Sequence, residues 1–192
     1  MLLKTIAIVG ALLLTAIVVI VILAMRKPDE FRVSRAQQIA APPEKIYPLI
    51  VNLRAWAPWS PYETKDPQMT RKFSGAASGP GAIYEWNGDK NVGAGRMEIL
   101  DVVEPSEGGP AKIAIKLDIF QPFEGHNLVE FTMVPVRLVS GGPNGGEGSN
   151  VTWAMRGPYA FPAKVMNLFI DMDEMIGKDF AAGLANLKSV AE

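Results

Sequence analysis

The sequence contains no cysteine and a single histidine, His126. Without cysteine there is no disulfide framework, thiolate metal site, iron–sulfur cluster or thiol nucleophile. One histidine excludes every multi-histidine metal site within a chain. An excess of either charge is also missing, since 19 basic and 20 acidic side chains leave a net charge of −1 over 192 residues. So balanced a chain lacks the electrostatic footprint for a phosphate backbone, and no nucleic-acid partner is expected. There is neither a Gly-x-Ser-x-Gly elbow nor a strand-linked dinucleotide loop. No cofactor and no metal are expected.

Apolar residues, by contrast, make up 48% of the chain, too many for a disordered one, and its length suits about one domain. Their distribution is uneven. The run from Thr5 to Met25 carries no charge and is rich in Ile, Leu and Val; as a helix it spans roughly 30 Å, the hydrocarbon thickness of a bilayer. A cleaved signal peptide is the rival reading. Its apolar part would run to about 7–15 residues and end at a small-x-small site, whereas Leu23-Ala24-Met25 leads straight into Arg26-Lys27. The expectation is a single-pass transmembrane anchor over 1–27, a domain over 28–192, and the lipid bilayer as a partner.

The flanking cations favour a cytoplasmic C-terminal flank, and the short stretch before the span favours the reverse; the reading adopted places the domain on the exported side. Setting residues 1–27 aside removes Lys4, Arg26 and Lys27 but no acidic residue, which leaves the domain near −4. Pro28-Asp29-Glu30 reaches at most about 10 Å, so the domain must lie close against the membrane surface.

Phe31–Ile39 reads as a strand, and Pro42-Pro43-Glu44 as a helix start. Ile46, Leu49, Ile50 and Leu53 recur at helical spacing, with Pro48 inside predicting a kinked or short helix. Leu53 to Tyr62 reads as a second short helical turn or an aromatic-lined bend. Six strands follow: Met69–Phe73, Ala82–Trp86, Gly95–Val103, Ala111–Ile119, Asn127–Val136 and Asn150–Arg156. Ile113, Ile115, Leu117 and Ile119 share one face, as do Val129, Phe131 and Met133, and Val151, Trp153 and Met155. That is an antiparallel sheet covered on one side.

Ser140–Asn150 reads as a flexible glycine-rich hairpin loop. It joins two strands and lacks the lysine–Ser/Thr ending of a phosphate loop. Asn150-Val151-Thr152 fits a glycosylation triplet, which matters only in a eukaryotic secretory setting. From Pro162 to Val190 the stripe Val165, Phe169, Met172, Ile176, Phe180, Leu184 and Leu187 predicts one helix of roughly 28 residues, about 42 Å long. Gly177 and Gly183 inside it suggest close backbone approach or space left for something else.

This order, with Ala41-Pro42-Pro43-Glu44-Lys45-Ile46-Tyr47, the run from Asn52 to Tyr62, Tyr84-Glu85-Trp86-Asn87-Gly88 and the ending from Gly177 to Lys188, resembles the START-like, birch-pollen-allergen-like (SRPBCC) superfamily. It is more specifically similar to the polyketide cyclase/dehydrase-like branch. The resemblance spans about Phe31 to Glu192 and implies an α+β helix-grip fold: a curved antiparallel sheet round a long C-terminal helix, here preceded by one transmembrane helix. It further implies a hydrophobic cavity between sheet and helix for an apolar small-molecule ligand, such as a lipid or polyketide. Fold analogy alone does not decide between binding and catalysis.

The candidate ligand contacts are Trp56, Trp59, Tyr84, Trp86, His126, Trp153, Met172 and Ile176. Trp56, Trp59 and Tyr62 either gate the cavity mouth or pack as core. If Tyr84 and Trp86 point inward, strand alternation leaves Glu85 solvated. Met155, Met166, Met172 and Met175 are potential lining or core. Asp171, Asp173 and Glu174 read as a solvated helix face. His126, beside Glu124, is either a structural strand-start histidine or the acid–base group of a cyclase or dehydratase. A third reading is a non-catalytic interaction module with a filled sheet–helix interface, its protein partner unspecified.

Overall fold

The computed structural model describes residues 2–138 and 146–192. Helix α1 (Leu2–Met25) is long and apolar enough over Lys4–Met25 to cross a membrane, with a mean hydropathy of 3.3. From Lys4 on its side chains are exposed except toward its end, where Ala24 is fully buried. Strand β1 (Glu30–Ile39) follows after a short link, then α2 (Pro43–Val51), a 3-10 turn (Leu53–Trp56) and α3 (Pro61–Lys65). Next come β2 (Thr70–Gly75), β3 (Ala82–Asn87), β4 (Ala94–Val103), β5 (Ala111–Gln121), β6 (Gly125–Leu138) and β7 (Gly146–Pro158). The chain closes with α4 (Phe161–Met166) and α5 (Met172–Ala191).

All seven strands form one antiparallel sheet in the order β1-β7-β6-β5-β4-β3-β2. The first strand pairs with the last, so the link from β1 to β2 crosses the open side of the sheet as α2, the turn and α3. Register shifts in the β4–β5 pair after Ala94 and after Ile99 bend the sheet. The inner face carries Ile113 and Ile115, Val129, Phe131 and Met133, and Val151, Trp153 and Met155, all buried. Against it lie Phe180, Leu184 and Leu187 of α5.

At the centre Trp56, Trp59, Phe131 and Trp153 each touch the other three, with ring centroids 4.8 to 6.2 Å apart. Phe180 stacks on the far side of this group, 4.2 Å from Trp153. Trp56 Nε1 donates to the Ile50 carbonyl at 2.9 Å, and Trp59 Nε1 to that of Leu49 at 3.0 Å. Both carbonyls belong to the last turn of α2, which has no helical donors left for them. Asn186 Nδ2 of α5 donates to the Trp59 carbonyl at 3.1 Å. The aromatic segment is thus tied to α2, the sheet and α5 at once.

The secondary structure departs from expectation in two places. The expected single helix over 162–190 is two, because Asn167 ends α4 and Asp171 caps α5, its carboxylate accepting from the Glu174 N–H at 3.0 Å. Short polar side chains of this kind compete for the helix backbone, and an apolar stripe does not reveal such a break. Phe169, counted in that stripe, is 72% exposed in the link between the helices. The glycine-rich segment is shorter as a loop than its composition suggests: Gly146–Asn150 already belong to β7, while 140–145 lie outside the described residues. Pro48 lies on the exposed side of α2, which at nine residues is short, as expected.

Gly183 lets α5 meet the sheet: a Cβ there would lie 2.7 Å from Trp153 Cζ3 and 3.0 Å from Pro61 Cδ. Overpacking of this kind costs about 1–3 kcal/mol. Gly183→Val should lower the denaturation midpoint accordingly, followed by tryptophan fluorescence with an unchanged slope; an unaltered midpoint would mean that α5 does not press on Trp153.

Candidate functional site

Beside the aromatic cluster the sheet and α5 enclose a cavity of about 190 Å³. Its floor is buried: Trp56 and Ser60 from the crossing segment, Tyr84 and Met97 from β3 and β4, Val129, Trp153 and Met155 from β6 and β7, and Phe180 from α5. Half-buried Tyr62, Glu63, Trp86, Leu117, Ile119 and Ile176 form its rim. Strand alternation selects these residues, and a glycine shapes the wall. A Cβ at Gly95 would lie 2.5 Å from two ring atoms of Trp86, so only glycine lets that indole lie across β4.

One side of the wall is polar. Tyr84 Oη donates to Glu63 Oε1 at 2.6 Å, and Arg71 Nε donates to Glu63 Oε2 at 2.7 Å. Arg71 is held in turn by the carbonyls of Met69 and Glu63. Each Glu63 oxygen thus accepts one of these bonds, and the carboxylate holds Tyr84 and Arg71 together at the wall. Burial, reinforced by Glu63, pushes the Tyr84 phenol far above its ordinary range and keeps it a hydrogen-bond donor. Burial, followed by the nearby Asp179 carboxylate, does the same to Tyr62. Asp179 pairs with Lys65 at 2.6 Å, and the Lys65 ammonium lies 5.0 Å from the Tyr62 ring centroid. One buried polar atom in the wall, Trp153 Nε1, lacks a partner among the described residues, and Ser60 lines the same cavity.

Of the candidates read from sequence, Trp56, Tyr84, Trp86, Trp153 and Ile176 are brought together in this wall. Trp59 is fully buried behind it in the aromatic cluster. Met172 opens α5 and is not among the residues lining the cavity; its neighbour Asp173 is held by Arg35 of β1 instead. His126 stands on the outer face, since it pairs in register with Asp118 while the neighbouring Leu117 and Ile119 point inward. The sheet therefore separates it from the cavity. Glu85 lies on that outer face as well, 3.0 Å from Lys72. Met155 lines the cavity; Met175 is 49% exposed. Glu63 and Ser60 escaped the sequence reading because a five-residue helix and its N-cap are too short for a phase to be read; their signal was polarity within Trp59-Ser60-Pro61-Tyr62-Glu63.

The family model described as polyketide cyclase / dehydrase and lipid transport matches residues 30–192. The chain belongs to this family. Similar solved structures include the hypothetical protein jhp0584 from Helicobacter pylori, at 10% identity and a TM-score of 0.56, covering 84% of this chain and 88% of its own. Ara h 8.0201 gives 10% identity and a TM-score of 0.52, with 84% and 97% covered. Protein CV1439 from Chromobacterium violaceum gives 16% and 0.50, with 86% and 99% covered. At these identities the likeness is one of fold, the helix grip. No protein of curated function matches the sequence.

On the outer face His126 Nδ1 lies 2.7 Å from Asp118 Oδ1, and Lys116 Nζ lies 2.9 Å from Asp118 Oδ2. The hydrogen bond to Asp118 raises the imidazole above its ordinary 6.5 despite some desolvation. Burial works to raise the Asp118 carboxyl, but His126 and Lys116 outweigh it and hold the group below its usual range. The folded chain thus binds the imidazole proton more tightly than the unfolded one. The stabilisation is complete below about pH 6.5 and is lost as pH rises through the folded value. An NMR titration of the lone histidine should give a midpoint above 6.5 that Asp118→Asn lowers; a midpoint unmoved by that change would remove the pair.

Proposed function

We propose that this protein binds an apolar or amphipathic small molecule in the cavity between sheet and α5, with α1 as a single-pass membrane anchor. The observation that carries the reading is the cavity itself: apolar walls, a few polar groups at one side, and a rim of half-buried residues. An apolar cavity of about 150 Å³ is enough for benzene, so 190 Å³ suits one ring or a short acyl segment. A larger lipid or polyketide-like ligand would leave its remainder at the rim, near Tyr62 and Ile176. Apolar burial supplies affinity, while the Tyr84 phenol and the Ser60 hydroxyl set orientation.

An open cavity favours this reading over an interaction module with a filled interface. Acid–base work by His126 on a cavity ligand has no geometric support, because the sheet stands between them.

The full chain, purified into nanodiscs of one synthetic phosphatidylcholine, should carry a single dominant co-purifying small molecule detectable by extraction and mass spectrometry. Calorimetric titration with p-cresol should show binding that Ile119→Trp weakens at least about tenfold, a loss of about 1.4 kcal/mol. A chain that brings nothing with it and gives no heat with the probe would leave the cavity without this role.

A further inference from the structure

Four aromatic side chains are strongly exposed among the described residues: Phe120 (52%), Phe123 (70%), Phe161 (45%) and Phe169 (72%). Every other described aromatic is buried or half-buried. The four are scattered in sequence but gathered by topology. Phe120 lies at the end of β5, Phe123 in the turn to β6, Phe161 at the start of α4 just after β7, and Phe169 in the link to α5. Glu30, where β1 begins, pairs with Pro158 at the end of β7, and Ile119 pairs with Gly125 at the β5–β6 turn. All four therefore sit at the end of the sheet from which α1 departs. Ile170 (47%) and Met175 (49%) extend the patch.

This end is fastened to α1. The α4 helix packs on the last part of α1, where Ala24 is fully buried. Lys27 Nζ donates to Asn167 Oδ1 at 3.0 Å, and Lys164 Nζ to the Lys27 carbonyl at 3.2 Å and Asp29 Oδ1 at 2.6 Å. The Tyr159 N–H donates to the Asp29 carbonyl at 2.7 Å. A bilayer spanned by α1 would meet its polar boundary near Arg26-Lys27, which brings residues 160–170 to headgroup level.

We propose that this phenylalanine-bearing end of the domain inserts into the surface of the same bilayer, so that the domain lies on the membrane with its cavity end toward the lipid. The inference rests on reading α1 as a membrane span. Exposed aromatics beside a polar backbone suit the headgroup/acyl boundary, entering it by about 5–10 Å. Glu124, Asp171, Asp173 and Glu174 lie in the same segments, so the attraction is apolar and needs no anionic lipid. The cavity lies at this end too: Ile119, Val129 and Met155 of its wall lie near the same strand ends.

With no native cysteine, the full chain accepts single spin labels cleanly. Phe123→Cys and Phe169→Cys label exposed positions and leave the core intact. Leu13→Cys marks the span, and Ser106→Cys the opposite end of the sheet, in the β4–β5 turn. In phosphatidylcholine vesicles, labels at 13, 123 and 169 should collide more with oxygen than with a water-soluble nickel chelate, and the label at 106 the reverse. Adding anionic lipid should leave these ratios unchanged. If 13 is in the bilayer while 123 and 169 behave like 106, the insertion is wrong and the anchor stands. If 13 is also aqueous, the anchor reading fails and the insertion with it. Labels at 123 and 169 that are immobilised and shielded from both relaxants mark contact with a second copy and overturn the proposal.

Discussion

The contact of Trp56, Trp59, Phe131 and Trp153, backed by Phe180, is the interaction on which the rest of the structure depends. It joins three elements that share no backbone hydrogen-bond ladder: the crossing segment, the sheet and α5. Aromatic pairs in such tilted and edge-to-face arrangements add about 0.5–1.5 kcal/mol beyond the area they bury. The two indole N–H groups that cap α2 add direction to this burial. The cavity exists because the cluster fills only one part of the sheet–helix space. On the remaining side smaller and more flexible walls, Met97, Val129, Met155 and Ile176, leave room.

The polar side of the cavity follows from the same packing. The short helix α3 is held between the cluster and α5, which sets Glu63 against Tyr84 and Arg71. The carboxylate accepts from both and orients a phenol that burial keeps protonated. The apolar volume therefore has one polar side, with a fixed phenol whose single proton is given to Glu63. Its membership of a polyketide cyclase/dehydrase and lipid transport family agrees with an apolar ligand and does not decide the chemistry.

The topology has a directional consequence. In an antiparallel sheet whose first strand pairs with its last, the start of β1 and the end of β7 share one edge of the domain. The end of α1, the α4 helix, the β5–β6 turn and the cavity therefore gather at one pole. Proximity of α1 and cavity is thus a property of strand order.

Much of the architecture was legible. The uncharged run after Lys4, the period-two patterns of β5 to β7 and the stripe over Ile176, Phe180, Leu184 and Leu187 marked anchor candidate, sheet and gripping helix. These are local periodicities, and period alone reveals which face of an element is apolar. The inward orientation of Tyr84 and Trp86, and with it the outward one of Glu85, followed from alternation once the covered face was known. Other features were not legible, because they depend on distances between segments. Whether Trp59 gates a cavity or packs behind it depends on where Trp153 lies. The helix break at Asn167 hinges on capping by Asp171 and on the Lys27 contact across 140 residues. His126 looked like a site residue because it is the only histidine, yet its role is set by register with Asp118 on the outer face. Apart from the break at Asn167, the elements and their apolar faces could be read from the chain alone, since both follow from neighbouring residues. Which of those faces enclose a cavity, and which polar groups meet inside it, could be seen only in the folded chain, because both are set by packing between residues far apart in sequence.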